Sequence, residues 1–480
     1  MDFDCCKDNA KQMVFYLMKF DRILAMLAYA YQAIATLGLV FCVGYLLPSS
    51  EYGRYSLAVA TAQGAAVLTF DWIRQAATRF CVSVDGLDSE ARKQTVLVTF
   101  VLLSTLLVGL GILGAFFGVA SVGELLIGVF VALLVGATDM QLVFLRIQGS
   151  FSKFSALQTM RASLLFIFSC LAAWYFGSSV GALAGLAFGY LLSAILFVGA
   201  APGWWIVRPA LASKELFREM AKYGLSAAAA AVIALQVPLI LRWAAKLSMS
   251  ADSFAGFSLS MDLLQKPFNL VTTAIAGVLT PSVIQEFDQG EGVTRTQLQR
   301  LYEAQLWAVM LVLGGAIALL PDVSEILVKP SLREGFLMTG VSVGLIFAVH
   351  TLIQTTVATP GHLLKAGTRL VLNAVVEFIL VAIALVPFVI SEIGAPFNWL
   401  WYVLISVVFS AIYSLPLLNA VRCPFPFTSV FIAPIVAVSI SLNYLWYCGL
   451  SYILVIKMAW ISILCAAGIF LYVKLKKQWG

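Results

Sequence analysis

Eight ionisable side chains fall inside long apolar runs: Asp71, Asp139, Arg242, Asp262, Lys266, His350, Glu377 and Lys457. Charges in such runs are costly, and by default they face a protein interior or a water-filled cavity. What is missing around them narrows the chemistry. No nucleophile constellation, glycine-rich phosphate loop or metal-ligand spacing occurs, and the chain has only two histidines, His350 and His362. This inventory suits the holding and release of charged ligands, and it implies no catalytic centre, no cofactor and no metal.

Each candidate carries a functional and a structural alternative. Asp262 and Lys266 stand at i and i+4 on one helix face, with Lys266 about 20 Å along the helix from its outer end. They read either as a cavity cation with a holding acid or as a self-neutralising pair, and Pro267 removes a backbone hydrogen bond at that depth. Arg242, four residues after Pro238, either receives an anion through bidentate hydrogen bonds or snorkels to headgroups. Arg54, at the mouth of the second span, has the same two readings. Asp71, Arg74 and Arg79 close the second span. There, Asp71 and Arg74 pair at i and i+3, or the arginines form an anion-binding cluster at the inner mouth. Asp139 and Glu377 lie at comparable depths and either bind a coupling proton or sodium ion or act as hydrogen-bonded interhelical acids. His350 is a pH sensor or a buried structural histidine, and Lys457 snorkels at an outer interface.

The elements that hold these residues are membrane helices. Hydrophobic residues make up 61% of the chain and charged residues 11%, and mean hydropathy is +0.96. A soluble surface needs roughly 25% charged residues, so lipid must cover most of this chain. Apolar runs long enough to cross a hydrocarbon core of roughly 30 Å occur near 23–47, 55–78, 95–117, 121–145, 155–176, 180–200 and 224–245. They continue at 254–282, 302–321, 336–358, 368–391, 397–420, 427–448 and 452–473, which makes fourteen. With a cytoplasmic N-terminus, 23 of the 30 basic residues fall on the inside, as the bias of Lys and Arg toward cytoplasmic loops requires. Both termini are then cytoplasmic. The first run is too long for a signal-peptide core and lacks a small-residue cleavage site, and it reads as a transmembrane helix. Segment 213–223 has an amphipathic pattern and is expected to lie along the inner surface. The net charge of +6 is spread between apolar runs, which excludes a nucleic-acid surface. The eight cysteines form neither a disulfide framework nor a metal site. Trp204, Trp205, Trp399 and Trp401 fall near predicted interfaces as an aromatic belt.

An internal repeat is visible. Tyr52-Gly-Arg-Tyr-Ser-Leu-Ala58 follows the first span and Phe254-Ala-Gly-Phe-Ser-Leu-Ser260 follows the seventh, an offset of 202 residues. A weaker echo pairs Gly149 and Lys153 with Gly361 and Lys365. Six spans lie between the copies, so they share one orientation, a parallel repeat of the kind transporters use.

The element Glu51-Tyr-Gly-Arg-Tyr-Ser-Leu-Ala58, its copy Ala255-Gly-Phe-Ser-Leu-Ser260 and Leu279-Thr-Pro-Ser282 resemble the polysaccharide transporter family, the Wzx-type oligosaccharide flippases of the MOP superfamily. The resemblance extends over the whole chain in length, span number and repeat. It implies two six-helix lobes, residues 1–210 and 211–422, followed by two further helices in 423–480. It also implies a multi-pass protein of the cell inner membrane that carries a polyprenyl-diphosphate-linked oligosaccharide between leaflets by alternating access. Membrane lipids, polysaccharide polymerase machinery and a coupling proton or sodium ion would be the partners. On that view Lys266, Arg242, Arg74, Arg79 and Arg54 are the candidates for the diphosphate, and Asp139, Glu377, Asp262 and Asp71 for the ion. Many members carry an acid–arginine pair toward the end of span seven, whereas here Leu241 precedes Arg242. Two rival classes fit a chain of this kind: a small-molecule or drug exporter of the same superfamily, and a membrane glycan polymerase. An exporter would usually pair a cationic substrate with an acidic cavity, and a polymerase would need a sizeable outward loop.

Overall fold

In the computed structural model the described residues are 24, 27–81, 87–117, 121–148, 150–198, 206–288, 296–363, 367–390, 399–420, 433 and 435–437. They are almost wholly helical, and no strand occurs among them. Helix α1 spans Leu27–Leu46. There follow α2 (Ser49–Phe80), α3 (Leu87–Phe116), α4 (Val122–Ile147), α5 (Phe151–Phe176), α6 (Ser179–Val198) and α7 (Lys214–Ser248). The second half contributes α8 (Ala251–Asp288), α9 (Thr296–Leu327), α10 (Pro330–Leu363), α11 (Gly367–Ile390) and α12 (Trp399–Ala420). Nine helices among the described residues are long and apolar enough to cross a membrane, and α11 and α12 add shorter apolar stretches. The chain is therefore an all-α, polytopic membrane protein. The expected span at 427–448 is described only at residues 433 and 435–437, and the span at 452–473, with Lys457, Cys5, Cys6, Trp204 and Trp205, lies outside the described residues.

Several helices outrun their apolar cores. α8 has 38 residues, about 57 Å at 1.5 Å per residue, against a core of roughly 30 Å. It continues through Pro267. Segment 213–223 is not a separate surface helix but the first turns of α7, a 35-residue helix. Nothing between Tyr223 and Pro238 stops it, because the alanine-rich stretch after Gly224 favours helix strongly enough to absorb one glycine.

Two compact units divide the chain, Met1–Val232 and Ile233–Gly480. The repeat recurs in how helices pack within each. In the first unit α2 packs on α3 and α4, α4 on α3, α5 and α6, and α5 on α6. Shifted by six helices, α8 packs on α9 and α10, α10 on α9, α11 and α12, and α11 on α12. The aromatic repeat sits at matching places. Tyr52 and Tyr55 are buried in α2, as Phe254 and Phe257 are in α8. Tyr55 Oη and Ser169 Oγ hydrogen-bond at 3.2 Å, while Phe257 stacks edge-on against Trp399 with ring centroids 5.7 Å apart. Trp399 is 1% exposed, so it belongs to the core and not to an interfacial belt; Phe257 provides an aromatic face that headgroups cannot better. Trp401, at 50% exposure, keeps the outward position.

Without a hydrophobic drive between helices in lipid, small residues decide where backbones meet closely. A Cβ on Gly256 would lie 2.6 Å from the Leu332 carbonyl oxygen, and one on Gly335 would lie 2.8 Å from that of Ser253. These two glycines join α8 to α10 backbone to backbone. One turn further on, Ser260 Oγ donates to the Phe336 carbonyl at 3.1 Å and lies 3.1 Å from Thr339 Oγ1.

Candidate functional site

In the first unit the charges of three helices meet. Asp71 on α2 pairs with Arg74 one turn on and accepts from Gln75 Nε2 at 2.8 Å. Arg74 Nη1 also approaches Asp139 of α4 at 3.7 Å. Asp139 in turn accepts from Arg161 of α5 at 2.7 Å. Arg161 is 7% exposed and also donates to Thr138 Oγ1 and to Gln158 Oε1, both at 3.2 Å. Gln158 Nε2 donates onward to Gln32 Oε1 of α1. A cavity of ≈ 20 Å³ lined by Phe70, Asp71, Arg74, Gly136 and Asp139 adjoins this chain of contacts. Such a volume holds about one water molecule. Two acids and two arginines balance, so the cluster adds no net charge.

Asp71 and Arg74 therefore pair as the i, i+3 spacing allowed, and Asp139 is an interhelical acid. Arg161 belongs to this site although its spacing gave it no role beyond an inside-facing charge. It lies six residues into the expected fifth span, at 155–176, and that depth was the signal. Arg54 stays out: its side chain is 60% exposed and pairs with Glu51 at 3.4 Å. Glu51 meanwhile accepts from the Ser179 backbone N–H and hydroxyl, both at 2.7 Å, tying the start of α2 to that of α6. The side chain of Arg79 lies outside the described residues.

The second unit holds two groups. Arg242 of α7 is 2% exposed, and its Nη2 donates to Asp262 Oδ1 of α8 at 2.7 Å. It does not snorkel; a guanidinium this deeply covered needs a carboxylate, and α8 supplies it. Asp262 thus serves a partner on the preceding helix rather than simply closing on Lys266. Among the described residues Lys266 has no ion pair within 4.0 Å, and the group carries a net positive charge. Its depth follows from its neighbours. A Cβ on Gly344 would lie 3.4 Å from Leu313 Cδ1 and 3.8 Å from Leu264 Cδ1. Leu313 and Gly344 lie near the middles of the apolar spans Gln297–Leu327 and Pro330–Thr355. Lys266, two residues past Leu264, is about 3 Å further along α8.

In the other group, His350 Nδ1 of α10 lies 2.7 Å from Glu377 Oε1 of α11, and Gln354 Nε2 donates to Glu377 Oε2 at 2.9 Å. Glu377 is 0% exposed and His350 7%. Sequence reasoning placed both residues at depth but did not join them.

No family model matches the chain, and no curated protein matches it. Solved structures do. A lipid II flippase MurJ in an inward closed conformation superposes with TM-score 0.65 at 13% identity, covering 95% of this chain and 98% of that one. An inward-facing multidrug resistance MATE family transporter of the MOP superfamily gives TM-score 0.59 at 14% identity, covering 83% and 98%. A MOP superfamily transporter from Pyrococcus furiosus, whose binding pocket is described as of reverse polarity, gives 0.53 at 13% identity, covering 84% and 95%. At such identities the likeness is one of fold: the chain shares the helical architecture of these solved structures.

Proposed function

We propose that this protein is a flippase of the Wzx type, carrying a polyprenyl-diphosphate-linked oligosaccharide across the cytoplasmic membrane by alternating access, with both termini cytoplasmic. The observation that carries the reading is the net positive group of Arg242, Asp262 and Lys266 on α7 and α8, with Lys266 level with the middles of the α9 and α10 spans. A cation without a close counter-ion there is unfavourable by itself. A diphosphate would offset that cost through charge-assisted hydrogen bonds, and it would do so only while bound. Lys266 would hold the anion as a mobile point charge, with Arg242 fixed by Asp262 beside it. The first-unit cluster, which is balanced and adjoins a water-sized cavity, would serve as a structural tie or small-ion site rather than as the glycan site.

Coverage points the same way. The MurJ structure spans 95% of this chain and the MATE transporter 83%. The drug-exporter reading has one observation in its favour, the acids Asp71 and Asp139 beside the first-unit cavity. Arg74 and Arg161 offset both acids, which weakens that site for a cationic substrate. On this reading the protein performs no bond chemistry, and it delivers repeat units to polysaccharide polymerase machinery at the opposite face.

The test is deletion of the gene in its host with complementation by wild type or Lys266→Gln. Loss of surface glycan with lipid-linked repeat units accumulating on the inner leaflet is expected, and Lys266→Gln at normal membrane levels should fail to restore it. Unchanged surface glycan with new sensitivity to cationic toxins would transfer the protein to the exporters. Unpolymerised units on the outer leaflet would make it an enzyme.

A further inference from the structure

Among the described residues α4 touches α5 sparsely, and α10 touches α11 sparsely. Each pair is bridged by polar side chains, of which Arg161, His350 and Glu377 are buried. In the first unit the bridge is Asp139 to Arg161; in the second it is His350 to Glu377, with Gln354 on the other carboxylate oxygen. The bridges occupy matching places in the repeat. From Asp139 to His350 is 211 residues and from Arg161 to Glu377 is 216, on either side of the 212 that separates Gly149 from Gly361. Their chemistry differs. A guanidinium stays protonated at any working pH, so the first bridge is permanent. An imidazole, unlike a guanidinium, can both give up and accept a proton at its ring nitrogens.

We infer that His350, Glu377 and Gln354 form a proton-binding site that latches α10 to α11. With one proton shared between imidazole and carboxylate the triad is electrically neutral. Without it, a carboxylate that is 0% exposed carries an uncompensated negative charge inside an apolar span, where such charge draws in water. Proton loss therefore loosens α10 from α11, and proton uptake closes them. The ligand set selects a proton over sodium. Hard cations are held by several oxygens, whereas both oxygens of Glu377 already face nitrogen groups. Surrounding charges leave the site to itself. α12, packed on both α10 and α11, has no acid or base along Trp399–Ala420 except the exposed tyrosines Tyr402 and Tyr413. α9 brings Arg300, Glu303, Asp322 and Glu325 near its two ends. Among its described side chains α8 brings Asp252, Asp262 and Lys266, with Asp262 committed to Arg242. Besides His350, the described acids and bases of α10 are Arg333 and Glu334, at its start.

The test needs no glycan, so its outcome is separable from that of the flippase reading. Proteoliposomes on a solid-supported membrane are stepped between about pH 4 and 8, the range in which carboxylate and imidazole titrate. Wild type should give a saturable charge displacement. Glu377→Gln, which holds the position neutral, should reduce it about tenfold, and Glu334→Gln, at the exposed start of α10, should leave most of it. His350→Gln should move its midpoint, and this variant decides the matter should Glu377→Gln not fold. Full displacement in Glu377→Gln, or an unmoved midpoint in His350→Gln, overturns the inference. Intact displacement in a protein that moves no lipid-linked glycan would remove the flippase reading and leave the proton site standing.

Discussion

Replacing Asp262 by alanine strands Arg242, which is 2% exposed, beside the uncompensated ammonium of Lys266. Removing one partner of a buried ion pair costs about 3–5 kcal/mol. Asp262 keeps 20% of its side-chain surface exposed, which allows some relaxation and places the loss near ~3 kcal/mol. The second unit, Ile233–Gly480, has 248 residues. For a cooperative block of that size, ~3 kcal/mol lowers Tm by about 6–9 °C. Lys266→Ala should behave oppositely: it deletes a charge that lacks a close partner, so Tm should hold or rise by ~1–2 °C. Both shifts are measured by fluorescence-monitored unfolding of purified protein in one detergent, with Arg242→Ala and the Asp262/Arg242 double variant completing a cycle. A coupling of ~2 kcal/mol or more is expected for the pair. Equal losses in Asp262→Ala and Lys266→Ala, or additivity within ~0.5 kcal/mol in the cycle, would refute this assignment of partners.

Three further outcomes are expected. Gly256→Ala places a Cβ 2.6 Å from the Leu332 carbonyl oxygen. It should cost ~1–3 kcal/mol by forcing α8 from α10, seen as reduced yield of monodisperse protein. Arg161→Met leaves Asp139, 31% exposed, with Arg74 at 3.7 Å, and should lose ~1–2 kcal/mol of thermal stability; Asp139→Asn in that background should restore part of it. Cys81, just beyond the second span, has its thiol pushed up to about 11 by burial, with Arg92 opposing. The thiolate is the reactive form, so the shift from 9.0 depletes it about 100-fold at neutral pH. Maleimide labelling of Cys81 should be slower by that factor than at an exposed cysteine, and should still be rising with pH where the exposed thiol has levelled off.

Helix number, polarity pattern and the repeat were legible because they depend on local composition. Apolar runs of sufficient length report the spans, and Tyr52-Gly-Arg-Tyr has its echo at Phe254 in plain letters. Side-chain pairing was not legible. Asp262 and Lys266 look like partners because a helix puts i and i+4 together, yet Asp262 bonds Arg242, twenty residues away on another helix. Glu377 meets His350 across 27 residues and Asp139 meets Arg161 across 22. Nothing in helical periodicity sets these distances; they arise from rotation of one helix about its axis against the next. Trp399 shows the same limit. Its place at the end of an apolar run suggested an interface, but the facing of α12 toward Phe257 turned it inward.

The backbone contact between Gly256 and Gly335, with Ser260 bonded across to Phe336, leaves α8 and α10 no freedom to slide past one another. Lys266 is carried by one of them and His350 by the other. On the functions proposed, an anion held at Lys266 and a proton held at His350 act on two helices joined at that seam. Linkage is then reciprocal: whatever factor the proton applies to anion affinity, the anion applies to proton affinity. A diphosphate analogue should therefore shift the proton midpoint by that same factor, which makes the glycine seam the shaft through which two ligands in one half of the protein do work on each other.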